Sequence, residues 1–208
     1  MDGEVKDFPS KQIADGLHYV VLADLADSTD YMKKMGNDAG INRRNAFIGA
    51  AKQALAHSKP KNSGEFVKDS GDAVLLVFKH FPDVVQWLLE FQGSLTLAWL
   101  DDKPLAARIW VHAGEITFRN GDAHGLAINQ VFKVEARAKR QTRVGELVLT
   151  HVARDIADPV LFPKQCVLVP CGKVKLAGHP PISLYRLVVK ADIAFMIDKQ
   201  RKDTTRFL

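Results

Sequence analysis

Two aspartates stand where a chain can do chemistry with them. Asp24 closes an apolar, β-branched run at residues 18–24 (HYVVLAD), and Asp72 follows Gly71 in a polar turn between two apolar runs. In a fold that sets the end of the first run beside that turn, the two carboxylates face each other. With no basic partner between them they repel. A divalent metal removes the conflict, and Mg²⁺ favours a few carboxylates together with substrate phosphates. Just after Asp24, Asp27, Ser28 and Thr29 are all good helix N-caps. The free N–H groups of a helix N-terminus make a natural phosphate seat. The residue types alone leave another reading open, in which Asp24 caps the helix and Asp72 only makes the turn.

The elements that must position these groups follow from periodicity. Residues 18–24 read as a buried strand, and a long helical pattern runs from 27 to 57, dented at Gly36-Asn37 and Gly40. Residues 64–78 read as a hairpin around Ser70-Gly71. Residues 82–97 have helical spacing, with Pro82 near the start. Then come a long strand at 105–118, a loop at 119–124 containing Gly121, and an amphipathic helix with a basic face at 125–142. A strand at 146–149, a short helix from His151 and an antiparallel pair at 167–174 and 182–189 complete the chain. The order begins βαββαβ, which predicts an α+β, ferredoxin-like core with helices on one face of the sheet and extra C-terminal strands. One domain is expected over 17–190, with an N-terminal extension at 1–16 and a C-terminal tail at 191–208.

Bulk properties narrow the function classes. A chain of 208 residues, 47% hydrophobic and 25% charged, has the make-up of one globular domain rather than a disordered one. A net charge of +5 suits a polyanion, either a triphosphate or a nucleic acid. The densest basic cluster, Lys133, Arg137, Lys139, Arg140 and Arg143, lacks aromatic stacking partners, so nucleic acid is not the expected partner. Cys166 and Cys171 lack the spacing of a zinc site and read as reduced, buried thiols. Residues 1–16 are polar and acidic, unlike a signal peptide, and no apolar run approaches the ~20 residues of a membrane span. The expectation is a cytoplasmic protein with no membrane partner.

Several segments resemble class III adenylate and guanylate cyclase catalytic domains. Residues 21–29 (VLADLADST) look like the first metal motif, and 66–78 (FVKDSGDAVLLVF) like the second. Residues 108–116 (RIWVHAGEI) are similar to the central strand, 122–133 (DAHGLAINQVFK) to the segment D-x-x-G-x-x-V-N-x-x-x-R, and 172–187 to the terminal strands. The resemblance implies conversion of a nucleoside triphosphate to a 3′,5′-cyclic nucleotide and pyrophosphate, with two Mg²⁺ or Mn²⁺ ions per site. It makes Asp24 and Asp72 metal ligands, with the Leu25 carbonyl a third. It implies a homodimer whose composite sites draw residues from both protomers. Lys68 matches the reader of adenine N1 and Asp122 the acceptor for the 6-amino group. Asn129 matches the asparagine that orients the ribose. Ser28 and Thr29 are expected at the phosphates, with Arg119 an additional substrate contact.

The match is incomplete. Lys133 stands where an arginine stabilises the pentavalent phosphate, and it lacks the bidentate guanidinium fork. Ala177 stands where a phosphate-binding lysine is common, and Trp110 where glycine is usual. Arg119, Lys139, Arg140 and Lys173 are candidate replacements for the lost positive charge. These departures leave three readings: an adenylate cyclase, a pyrimidine cyclase making cUMP or cCMP in anti-phage signalling, and a cyclase-like nucleotide-binding module without turnover.

Overall fold

The computed structural model describes residues 14–58, 63–100, 103–120, 122–157 and 166–189. Gly121, most of the expected N-terminal extension and the tail at 191–208 lie outside the described residues.

The sheet is built around β1 (Gly16–Leu25), which is buried from His18 onward. Chain order continues with α1 (Ser28–Met35), α2 (Asn37–Ser58), β2 (Glu65–Ser70), β3 (Ala73–Phe78) and α3 (Phe81–Leu97). A small ribbon of β4 (Trp99–Leu100) and β5 (Lys103–Pro104) leads into the long β6 (Ala107–Arg119). Then follow β7 (Asp122–His124), α4 (Leu126–Ala138), β8 (Leu147–Thr150), α5 (His151–Ile156), β9 (Cys166–Val174) and β10 (Ile182–Val189). The main sheet runs β2-β3-β1-β6-β8-β10-β9, with β7 paired to β6. β1 is antiparallel to both β3 and β6, placing Asp24 opposite Ala73 on one side and Arg108 on the other. The four strands β6, β1, β3 and β2 reproduce the ferredoxin-like order, and β8, β10 and β9 extend it.

The helices of the βαββαβ core, α2 and α3, share one face as expected, and α4 covers the other. The reason lies in β1 and β6, which are apolar on both sides and therefore need two covers. Tyr19, Val21, Ala23, Ile109 and Val111 face α2, α3 and α5. Val20, Leu22, Trp110 and Ile116 face α4, which presents Ala127, Ile128, Val131, Val134 and Ala138 at helical spacing. Gly114 lets α4 approach closely, since a Cβ there would lie 2.9 Å from that of Ala127.

Three other expectations change at their ends. The long helix from 27 is broken at Gly36, whose φ of 92° suits glycine, so α1 and α2 are separate. Gly40 does not dent α2; its missing side chain makes room for Met32 of α1. Residues 122–124 are not loop, because they pair back on β6 as Thr117↔His124 to Arg119↔Asp122. The helix expected over 125–142 ends at Ala138, and Thr142 folds back to bond the Ala138 carbonyl.

Candidate active site

The two aspartates meet because β1 ends beside the β2–β3 turn. Gly71 makes that turn with φ 64°, a conformation that disfavours side chains. The Leu25 amide donates to the Asp72 carbonyl at 2.9 Å, tying the strand end to the turn. Ala26 N donates to Ala106 O at 2.8 Å, and Asp27 turns the chain into α1 with φ 58°. The Ser28 hydroxyl then donates to Asp72 Oδ2. Asp24, Leu25, Ser28 and Asp72 thus form one cluster, with Thr29 exposed in the first turn of α1.

Asp24 is 3% exposed and its Oδ2 receives no well-directed hydrogen bond. Lys139 Nζ lies 2.9 Å from that oxygen as an ion pair, and Arg108 Nη1 lies 3.9 Å away. Burial pushes the Asp24 carboxyl above the usual range; Lys139 opposes this, while Asp72 and Glu135 add to it. The donor set suits a divalent cation that takes its remaining ligands from a nucleotide: two neighbouring carboxylates, one holding a buried, poorly satisfied oxygen. Among the described residues no group of three or more His, Cys, Asp or Glu side chains is gathered for a metal.

A second pair forms on the α4 side of the sheet. Lys68 Nζ donates to both carboxylate oxygens of Asp122, at 3.0 and 2.8 Å. That bond and the Ala123 amide hold the Asp122 carboxyl below its ordinary value. Lys68 is opposite Leu75, past a bulge at Val67, while Asp122 belongs to the β7 turn-back that the sequence reading took for loop. Asn129 and Lys133 lie on the exposed face of α4, one turn apart.

Arg119 lies away from the two aspartates, opposite Asp122 in the β6–β7 pairing. Its Nη1 donates to Asp15 Oδ2 at 3.1 Å and to the Phe118 carbonyl. It sits at the end of β6 opposite the start of β1, whereas Asp24 lies at the other end of β1. Ala177 is exposed in the turn before β10, next to Gly178. The sequence reading did not place Arg108 and Lys139 on Asp24. The signal for Lys139 was its spacing of four from Glu135, which puts both on one helix face.

No protein-family model matches the sequence, and no curated protein matches it. Solved structures do match the fold. An adenylate cyclase from Trypanosoma brucei, solved in the monomeric state, aligns with TM-score 0.67 and 19% identity over 82% of this chain and 87% of that one. The adenylate/guanylate cyclase/hydrolase from Silicibacter pomeroyi aligns with TM-score 0.63 and 20% identity over 85% and 98%. The guanylate cyclase domain of RhGC from Catenaria anguillulae, solved with GTP, aligns with TM-score 0.64 and 13% identity over 83% and 96%.

Proposed function

From a chain with the fold of adenylate and guanylate cyclase catalytic domains, we propose a nucleotide cyclase that acts on ATP. The observation that carries this reading is the meeting of Asp24 and Asp72 at the end of β1, linked through Leu25 and Ser28. Asp24, Asp72 and the Leu25 carbonyl would hold Mg²⁺ or Mn²⁺, which supplies charge neutralisation at the phosphates and acidifies the ribose hydroxyl. The reaction joins the 3′-oxygen to the α-phosphorus, breaks the α–β phosphoanhydride bond and releases pyrophosphate.

The chain's own groups do the positioning. Ser28 and Thr29 open α1, whose first-turn N–H groups favour an anion. Lys68 and Asp122 offer a donor beside an acceptor, the complement of adenine N1 and its 6-amino group. Without a base they satisfy each other. Asn129 and Lys133 are exposed on α4, which suits delivery into a partner protomer's site. A homodimer with composite sites is therefore part of the proposal. Lys133 would meet the triphosphate as a point charge rather than through a bidentate fork.

The test is incubation with each of the four NTPs and Mg²⁺ or Mn²⁺, with mass detection of cyclic products. Cyclic AMP as the main product supports the reading, and Lys68→Glu should then depress ATP turnover more than GTP turnover. Preference for UTP or CTP overturns the adenine assignment in favour of the pyrimidine cyclase. Nucleotide binding without any cyclic product supports a module without turnover, a reading favoured by the hold of Lys139 on Asp24.

A further inference from the structure

We infer that Lys139 is a resident counter-cation of Asp24 that competes with divalent metal, so that metal binds only as the lysine is displaced. The inference rests on the metal reading of Asp24 and Asp72.

The geometry is specific. Lys139 Nζ is 2.9 Å from Asp24 Oδ2, and Arg108 is a more distant second cation. The Asp24 side chain is only 4% exposed, so its oxygen has little room for two cations at once. An ammonium and a divalent ion on the same oxygen would also repel strongly in so dry a place. One must leave.

Lys139 is rooted to be able to do so. Its amide donates to the Glu135 carbonyl at 2.8 Å, closing α4. The segment just beyond is anchored in the core. Trp110 Nε1 donates to Thr142 Oγ1 at 3.1 Å, Thr142 Oγ1 donates to Ala138 O at 3.1 Å, and Arg108 Nε donates to Thr142 O at 3.2 Å. The root of the lysine is fixed, while its side chain is 45% exposed, leaving solvent on one side into which the ammonium can move. A second acceptor stands ready, since Glu135 Oε1 is already 3.4 Å from Nζ. The lysine already touches both carboxylates, so on metal binding it gives up Asp24 and keeps Glu135. Trp110, which departs from the glycine usual at that position, thereby holds the competitor in place.

The experiment measures Mn²⁺ binding to the full chain without nucleotide, by titration calorimetry and by the paramagnetic resonance of free Mn²⁺. Lys139→Met should bind Mn²⁺ at least tenfold more tightly than the wild type, and Mn²⁺ should raise its melting temperature more. Lys139→Gln, which keeps a donor for Asp24 without the charge, should show the same gain if the methionine variant folds poorly. Arg140→Met removes a neighbouring exposed cation and should stay within twofold of the wild type. Affinity in both Lys139 variants within twofold of the wild type, weaker than it, or too weak to measure would overturn the inference. So would an equal gain in Arg140→Met, which would mark a diffuse charge effect. Asp72→Asn separates the underlying reading: if it binds Mn²⁺ as the wild type does, the ion lies elsewhere and the metal site itself is wrong.

Discussion

Asp24→Asn should abolish cyclisation and at the same time make the metal-free protein more stable. Asp24 is 3% exposed, and burial raises its carboxyl above the ordinary range despite the nearby ammonium. Removing one member of a buried ion pair usually destabilises, because the other charge is left stranded. That penalty does not apply here. Lys139 is 45% exposed and has Glu135 as a second partner at 3.4 Å. Arg108 keeps its bond to the Thr142 carbonyl. The neutral amide sheds a carboxylate desolvation cost of several kcal/mol, most of which Lys139 was already offsetting. A net gain on the order of 1 kcal/mol remains, raising the melting temperature by about 2–4 °C for a domain of this size. Differential scanning calorimetry in EDTA, beside the cyclase assay, checks both halves. A melting temperature lower by roughly 5 °C or more would show that the carboxylate is a structural ion-pair partner, and the reasoning would fail.

Three further outcomes follow from the same packing. Trp110 is fully buried and donates to Thr142, so Trp110→Ala should cost about 3–5 kcal/mol, read as a drop in the urea midpoint. His112 is buried and fits best as a neutral ring, with Nε2 donating to Gln130 Oε1 at 2.7 Å and Nδ1 accepting from the Thr150 hydroxyl at 2.8 Å. Burial holds this imidazole below its ordinary value of 6.5. The unfolded chain therefore takes up a proton that the folded chain refuses. The stability is full above pH 6.5 and declines as the pH falls below it, until the folded ring titrates too. Urea melts from pH 8 to 5.5 should show this decline, and His112→Gln should reduce it. Finally, mixing Asp72→Asn with Asn129→Ala should recover part of the wild-type turnover through one intact composite site; no recovery with subunit exchange verified would refute shared sites.

Much of the site was legible in the sequence because it is local. An apolar run that ends in Asp24, a turn that needs glycine at Gly71, and a helix start at Asp27-Ser28 are each set by neighbours along the chain, although Asp27 makes no side-chain capping bond and the Ser28 hydroxyl bonds Asp72 instead. Their side-by-side placement follows once the βαββ order is read. The helix boundary at Gly36 and the turn-back of Asp122–His124 were misjudged because a dented helix and a three-residue strand carry little periodic signal. The side of the sheet that α4 covers was also beyond sequence reading. That choice depends on the pairing of β1 with both β3 and β6, which leaves two apolar faces to bury. The decisive contacts are longer still. Lys68 reaches Asp122 across 54 residues, and His112 reaches Thr150 across 38. Lys139 reaches Asp24 from the end of a helix on the other face of the sheet from α2 and α3. A lysine's charge is fixed by the sequence, but the carboxylate it finds is fixed by strand register and helix docking.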